Sequence, residues 1–302
     1  MPSNVTRRHK DTGRGAGTLE TVRRVLSLAS ITIAAGAWLA GAPALAQARP
    51  APSGQALVSA ALANELRAAQ DLSHPMRYQL VKSSPRFTST REIYESRDGD
   101  VARLLAVGGQ PLSPADEAKE QARLAQLLAD PARQRHRKQS EDADRDRALK
   151  VLRALPSAFV YTDEGPGNAK TGPVERFIFR PNPAYSPADL ETQVLVAIAG
   201  ELWIDPAAQR VVRLEGHLSR DVDFGWGILG RLNKGGWIRI DQAEVSGQWR
   251  TIRFEMKMSG RVVWKPRVFD TVEEQTQFAP LPPSMTYREA IAALESGGGR
   301  GL

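Results

Sequence analysis

Acidic residues with the spacing of a metal-binding loop occur in one stretch of the chain. Asp142, Asp144 and Asp146 follow the alternation that opens a calcium-binding loop. Such a loop also needs a glycine at its sixth position, for a sharp turn, and a bidentate glutamate at its twelfth. Those positions hold Arg147 and Arg153, so both the turn and the charge are wrong for Ca²⁺. The spacing therefore predicts no metal site.

A glycine-rich stretch later in the chain matches a nucleotide-binding fingerprint in its letters only. Residues 225–230 read G-W-G-I-L-G, which is the G-x-G-x-x-G spacing of a dinucleotide site. That site also needs a helix directly after the glycines, because the helix N-terminus holds the pyrophosphate. Residues 231–236 are again rich in glycine and begin no helix. We therefore interpret the stretch as a connecting loop that exposes Trp226 and Ile228.

Side chains that serve as nucleophiles or metal ligands are scattered or missing. Beyond the N-terminal segment, His74, His136 and His217 lie far apart, and none belongs to an H-E-x-x-H motif. The chain contains no cysteine, and no G-x-S-x-G or S-x-x-K pattern marks a serine nucleophile. The sequence thus predicts no catalytic residue, no metal and no cofactor, and hence a protein that is not an enzyme.

The N-terminal segment has the three parts of a secretory signal peptide. Six basic and two acidic residues precede an apolar run at 25–40, and small residues suited to cleavage end at Ala46 and Ala48. A retained membrane anchor is the alternative, but sixteen helical residues span only about 24 Å, less than the hydrocarbon core of a bilayer. We expect residues 1–48 to be cleaved near Ala46 or Ala48, after general rather than twin-arginine secretion. The mature protein would then work in the periplasm without a stable membrane span.

Composition limits what the exported protein can bind. Cleavage after Ala48 reduces the net charge from +7 to +3, which argues against nucleic acid as a partner. The absence of cysteine excludes a disulfide framework and a lipid-modified N-terminal cysteine. We expect a linker at residues 49–54, a single domain at residues 55–296 and a disordered tail at residues 297–302.

Periodicity divides the first half of that domain into one helix, several strands and a helical insertion. Apolar residues recur at helical spacing over residues 56–72. Alternation then predicts a strand at 76–81, and two further strand-like runs at 87–96 and 101–107 flank a hairpin turn at Asp98-Gly99. Serine-proline and aspartate-proline start signals predict two helices in an insertion at residues 113–155, and Pro156 is expected to end the second.

The second half of the domain predicts an antiparallel sheet. Gly165-Pro166-Gly167 is typical of a loop, and the dipeptides Ser246-Gly247 and Ser259-Gly260 are typical of turns in a meander. The predicted strands lie at residues 159–162, 174–180, 193–204, 210–218, 237–245, 248–258 and 261–269, and a closing helix at 286–294. These elements predict the α+β class, with a curved antiparallel sheet (an open half-barrel) and helices packed on or over its concave face.

An apolar ligand is the partner that these exclusions leave open. Tryptophan often lies where an apolar cleft meets water, and methionine adapts to varied apolar chains, although both also fill ordinary cores. Along the middle meander strand, the side chains from Ile252 to Met258 alternate between apolar and charged. The candidate lining of a hydrophobic groove is Phe177, Phe179, Trp203, Trp237, Ile252, Phe254, Met256, Met258 and Trp264.

Residues 200–216 resemble a known family. The segments G-E-L-W-I-D at 200–205 and R-V-V-R-L-E-G at 210–216 are similar to the paired strands of periplasmic outer-membrane lipoprotein-sorting (LolA/LolB-like) proteins. The resemblance implies an open half-barrel with helices as a lid, which carries acylated lipoproteins or other lipids through the periplasm. The helical insertion at 113–155 is larger than the family pattern.

Two hypotheses about function follow. In the first, the protein is a periplasmic carrier or chaperone that binds lipid-modified protein or other apolar cargo. In the second, it is a non-catalytic envelope module that docks on another protein through its charged helices and the loop at residues 225–236. A hydrolase is a weaker third hypothesis, because no nucleophile or metal site supports it.

Overall fold

The computed structural model describes residues 54–224 and 229–297. The expectations for the signal peptide, for residues 49–53 of the linker, for Trp226 and Ile228, and for the tail beyond Gly297 fall outside these ranges. The described helices are α1 (Gly54–Gln70), α2 (Pro114–Ala129), α3 (Pro131–Ala158) and α4 (Tyr287–Gly297), with a 3₁₀ helix at Gln193–Val196.

The predicted starts of the two insertion helices are confirmed by their caps. The Ser113 hydroxyl accepts a hydrogen bond from the Asp116 N–H, and the Asp130 carboxylate accepts one from the Arg133 N–H. The predicted end of α3 is wrong, because the helix continues through Pro156 to Ala158. A proline in the last turn removes a single backbone hydrogen bond, and the strand that follows directly fixes the chain there.

The strands form one antiparallel sheet that does not close. They are β1 (Met76–Ser84), β2 (Phe87–Tyr94), β3 (Val101–Val107), β4 (Gln110–Pro111), β5 (Phe159–Ala169), β6 (Gly172–Pro181), β7 (Ile198–Asp205), β8 (Arg210–Leu218), β9 (Val222–Phe224), β10 (Gly230–Leu232), β11 (Trp237–Val245), β12 (Gln248–Val262) and β13 (Lys265–Pro280). The order is β4-β3-β2-β1-β13-β12-β11-β8-β7-β6-β5, and β10 pairs with β9 and with the end of β12. The two outer strands, β4 and β5, do not pair with each other. The α+β class with an open antiparallel sheet is confirmed.

Two glycine-containing segments predicted to be loops or turns lie within strands. Gly260 is inside β12, where a Cβ would come within 2.1 Å of the Arg231 carbonyl oxygen, so the glycine allows β10 to approach. The hairpin turn instead lies at Val263 and Trp264. The segment from Gly165 to Gly167 belongs to β5, an edge strand, and edge strands accept a proline.

Two helices cover one face of the sheet, which we call the inner face. Its main core lies between α1, α3, the 3₁₀ helix and the strands from β5 to β12, and it includes Phe177, Leu202, Ile238 and Phe254. The other two helices, α2 and α4, form a second core with Tyr94 and other residues near β2 and β3. Strand alternation places Tyr94 on the sheet face opposite to the inner face.

The long helix α3 bridges the two ends of the strand order. Its 28 residues span about 42 Å, from the turn between β2 and β3 to the start of β5. At the first end, the Gln134 amide donates to the Asp98 carbonyl (2.9 Å) and the Arg137 guanidinium to the Asp100 carbonyl (2.9 Å). Gly99 has φ +102°, and a Cβ there would lie 3.0 Å from the Gln134 amide nitrogen, so this turn requires glycine.

Candidate functional site

Five of the nine candidate groove residues meet in the core of the inner face. Phe177 and Phe179 come from β6, and Phe254, Met256 and Met258 from β12. Each is at most 4% exposed, and all five belong to the main core, which also includes residues of α1 and α3. The helices α1 and α3 close off this apolar interior, and we call them the helical cover. Any ligand that reaches the five side chains must first displace part of the helical cover.

The other four candidates lie elsewhere. Trp203 and Trp237 alternate with inner residues of their strands and project from the opposite face, which we call the outer face. Trp264 is 81% exposed at the turn between β12 and β13. Ile252 is half-buried at a β-bulge in β12, where it has no partner on β11. The structure therefore does not bring these four together with the buried five.

The cover is fastened to the sheet through a buried ion pair. Glu65 on α1 accepts hydrogen bonds from Arg210 Nε (2.8 Å) and Nη2 (3.2 Å), and both side chains are less than 10% exposed. The same carboxylate accepts from the Val211 N–H (3.1 Å) and from the Gln242 amide (3.2 Å). These four hydrogen bonds attach the middle of α1 to β8 and β11. They offset the cost of burying a charge, and they need a defined geometry.

Sequence reasoning missed this ion pair, although a signal for it exists. Val58, Ala61, Leu62 and Ala69 form a buried apolar stripe on α1, and Glu65 lies within that stripe. A carboxylate among buried apolar residues requires a partner. The partner, Arg210, is 145 residues away in sequence, so local spacing gives no indication of it.

A second group of charges lies where α3 meets the turn between β2 and β3. Arg250 donates to Glu95 (3.0 Å) and to the His74 carbonyl (2.7 Å), and the Asp100 N–H donates to the Glu141 carboxylate (3.1 Å). Burial, followed by the charges of Glu95 and Glu141, raises the pKa of Asp100 well above its ordinary value. Burial also raises the pKa of Glu95, although Arg250 opposes the rise. Ionised carboxylates therefore weaken this end of the helical cover as the pH increases.

The outer face is a ladder of ion pairs that crosses neighbouring strands. Arg239 binds Glu215 (2.6 Å) and approaches Glu255 (3.9 Å), and Arg253 binds both Glu255 (2.6 Å) and Glu274. Partial burial opposes ionisation of Glu215, but the hydrogen bond and charge of Arg239 keep its pKa below the ordinary value. A face of alternating charges cannot hold a hydrocarbon chain.

Tryptophan and arginine are stacked along the same outer face. The Arg213 guanidinium lies 4.7 Å from the centre of the Trp203 ring, and the Arg239 guanidinium lies 5.9 Å from the Trp237 ring. These distances are those of cation–π pairs, and both indoles are half-exposed. Both tryptophans therefore lie beside charged groups, and Trp203 also packs against the buried Val174, Val212 and Trp249.

The described residues contain neither a candidate metal site nor a candidate membrane span. Across residues 54–224 and 229–297, no three His, Cys, Asp or Glu side chains are grouped so that they could hold a metal ion. In the same ranges, no helix is both long and apolar enough to cross a bilayer.

Comparison with known proteins finds solved structures of similar fold but assigns the chain to no family. No family model matches the sequence, and no curated protein matches it. Among solved structures, an outer membrane lipoprotein-sorting protein domain from Vibrio parahaemolyticus is 8% identical to this chain, with a TM-score of 0.27. The match covers 72% of this chain and 90% of that one. A DUF1329 family protein from Desulfovibrio piger is 8% identical, with a TM-score of 0.26, over 76% of this chain and 92% of that one.

A third solved structure contains two proteins. It is the Pseudomonas aeruginosa MucA/MucB complex, whose matched chain is 12% identical, with a TM-score of 0.21, over 74% of this chain and 98% of that one. The chain is thus similar to lipoprotein-sorting and DUF1329 proteins, at low identity and low TM-score.

Proposed function

We propose that this protein is a non-catalytic carrier of the cell envelope. It would bind lipid-modified protein or other apolar cargo on the inner face of its sheet, after α1 moves away. One observation carries this proposal: the inner face of an unclosed sheet is apolar from β6 to β12 and is covered by helices that a buried ion pair fastens. The pattern of a signal peptide at residues 1–48 supports a periplasmic location and a mature domain that begins near residue 49.

The free energy gained by burying an acyl chain is comparable to the free energy lost when α1 leaves the sheet. Leaving the sheet would expose Leu57, Val58 and Leu62 of α1, at a cost of about 5–9 kcal/mol for three such side chains. An acyl chain of about sixteen carbons gains roughly 12 kcal/mol when it is buried, at about 0.8 kcal/mol per methylene. The difference is available to offset the rupture of the Glu65–Arg210 pair and the ordering of the ligand.

The chemistry of the attachment also suits a displaceable cover. Replacing a buried ion pair with apolar residues often leaves stability unchanged or increases it, so Glu65 and Arg210 are not what maximal stability would select. Their hydrogen bonds require one position of α1, and they are exchanged for bonds to water when α1 leaves. Met256 and Met258 beneath the cover are flexible enough to repack around a different apolar partner.

A reversible covalent lock on α1 tests the proposal. A Cβ on Gly54 would lie 3.3 Å from Cγ of Asp163 on β5, close to the separation of about 3 Å that a disulfide requires between one Cβ and the opposite sulfur. We expect Gly54→Cys/Asp163→Cys to form a disulfide that holds the start of α1. Because the chain has no other cysteine, the lock is the only bridge. The oxidised variant should bind a fluorescent fatty acid at least tenfold more weakly than the reduced variant.

The controls are the two single-cysteine variants treated with the same oxidant, which should bind like the unmodified protein. Native mass spectrometry of protein recovered from the periplasm should show copurified acyl species, released on lipid extraction. Equal binding by the oxidised and reduced double variants would contradict a mobile α1. A protein that is recovered empty and ignores the fatty acid would contradict the carrier function as a whole.

The outer face favours a second function, docking on an envelope protein. Half-exposed Trp203 and Trp237 lie beside arginines, and these residue types dominate the binding energy of protein interfaces. This function predicts that a photo-crosslinker at position 203 captures a defined envelope protein in cells. A crosslinker at Phe87, an exposed aromatic residue at the start of β2, is the control and should capture none.

A further inference from the structure

On its β13 side, the hairpin of β12 and β13 projects beyond the neighbouring strand β1, whereas β10 pairs with β12 up to Val262. Pairing between β13 and β1 ends at Val272, opposite Ser83, whereas pairing between β13 and β12 continues to Lys265. Residues 265–271 therefore extend about 20 Å past the end of β1. Among the described strands, this part of β13 pairs with β12 alone. The turn at its end can reach a surface before the neighbouring β1–β2 hairpin does.

The end of this hairpin carries exposed apolar side chains. Trp264, in the turn, is 81% exposed and Val268 is 73% exposed. Leu229, from the adjoining β9–β10 segment, is 54% exposed, and its carbonyl accepts a hydrogen bond from the Val263 N–H (3.0 Å). Apolar side chains concentrated at one projecting end mark a contact site.

The turn itself is strained. Val263 has φ +56°, a conformation that a β-branched residue rarely adopts, and it occupies the first of two turn positions, where glycine is common. Backbone strain of this kind is typically found where a binding surface needs a fixed geometry. Val263 directly precedes Trp264 in this turn.

Positive charge surrounds the turn. The segment 256–269 contains no acidic residue, and its four basic side chains are all exposed: Lys257, Arg261, Lys265 and Arg267. Within residues 54–224 and 229–297, neither Lys265 nor Arg267 forms an ion pair. Alternation places these two on the inner-face side of the hairpin and the other two on the outer-face side. The tryptophan therefore has cations on both sides.

We propose that this hairpin tip, residues 257–268 together with Leu229, docks on the surface of an anionic lipid bilayer. An indole prefers the headgroup level, and the long stems of lysine and arginine let their charges reach acidic headgroups while Trp264 is inserted. Basic residues and Pro266 at a free strand edge also prevent edge-to-edge pairing, but that role does not explain an exposed tryptophan and valine. The proposal goes beyond cargo binding and does not depend on it.

A dye placed next to the turn tests the proposal locally. Val268→Cys provides a single labelling site, since the chain has no other cysteine, and an environment-sensitive dye there should shift to the blue with vesicles of phosphatidylcholine and phosphatidylglycerol at about 3 to 1. Vesicles of phosphatidylcholine alone should give little shift. Adding Lys265→Gln/Arg267→Gln should weaken binding roughly 25-fold at low ionic strength. In 0.5 M salt most of this difference should disappear, because the Debye length falls to about 4 Å and the headgroup charges are screened.

Two further variants complete the test. Trp264→Ser should abolish the dye shift, and Arg133→Gln/Arg135→Gln, which removes the same charge from exposed positions on α3, should leave it unchanged. The proposal is overturned if the dye does not respond to anionic vesicles, or if the α3 variant and the tip variant weaken binding equally. Because the dye reports only on the tip, this result is separate from fatty-acid binding by the Gly54→Cys/Asp163→Cys lock.

Discussion

Removing the buried anion beneath α1, without its partner, should greatly lower the free energy of unfolding. Glu65 is 2% exposed and accepts four hydrogen bonds, two of them from Arg210. In Glu65→Leu the guanidinium stays buried without a counter-charge, and the Gln242 amide loses its acceptor. Leucine is apolar and suits the surrounding stripe of α1, so the loss reports on charge more than on packing.

The expected magnitude is about 3–5 kcal/mol, the usual cost of breaking a buried ion pair from one side. Four lost hydrogen bonds at about 1 kcal/mol each give a similar value. Domains are stable by only about 5–15 kcal/mol, so the variant should still fold but unfold at a much lower urea concentration. Tryptophan fluorescence during urea unfolding measures the change. The double variant Glu65→Leu/Arg210→Met should recover most of the loss, because it buries no charge.

Two results would refute this reasoning. A loss of less than about 1 kcal/mol in Glu65→Leu, as for a surface ion pair, would mean that water reaches the Glu65–Arg210 pair. A double variant as unstable as the single one would mean that packing, and not an uncompensated charge, sets the cost. Either result would also remove the ion pair as the fastening of the helical cover.

Three further predictions concern other parts of the sheet. Asp100→Asn should raise stability near pH 8 and have less effect near pH 4. Because the pKa of Asp100 is raised in the folded state, its carboxyl contributes stability at low pH, and this contribution is lost as the pH rises through the folded-state pKa. Urea unfolding at several pH values measures the difference. Gly200→Ala should cost about 1–3 kcal/mol in thermal or urea unfolding, because its Cβ would lie 1.8 Å from the Glu215 carbonyl oxygen and β7 and β8 must move apart. Glu274→Gln, which removes an exposed ion pair with Arg253, should cost less than about 1 kcal/mol, and a larger loss would show that the outer ladder is cooperative.

Local signals predicted many of the elements well. The bounds of β3, β8 and β11 agree with the predicted ones, and in β11 buried and more exposed residues alternate along most of the strand. The starts of α2 and α3 follow from cap residues that act within one helical turn. These features depend on residues that are neighbours in sequence, so they can be predicted from the sequence alone.

Other features depend on residues that are distant in sequence. Gly260 was expected in a turn, but its role is set by the backbone of β10, almost thirty residues earlier. Within the candidate groove, Trp203 and Trp237 share strands with buried residues yet project from the opposite face. Aromatic character along a strand does not indicate which face the helices cover, because that depends on how distant elements pack. The groove itself stays a prediction.

The position of β1 in the sheet has a consequence for when this chain can fold. Met76 pairs with Pro280, about 200 residues later, so strands β1 to β4 join the rest of the sheet through β13, the last of the described strands. Contacts between such distant residues form slowly, since a long loop must close first. Residues up to Pro280 must therefore be synthesised or translocated before β1 can complete its pairing with β13. During passage through a membrane pore, β1 to β4 would therefore stay separate from the larger part of the sheet until β13 emerges.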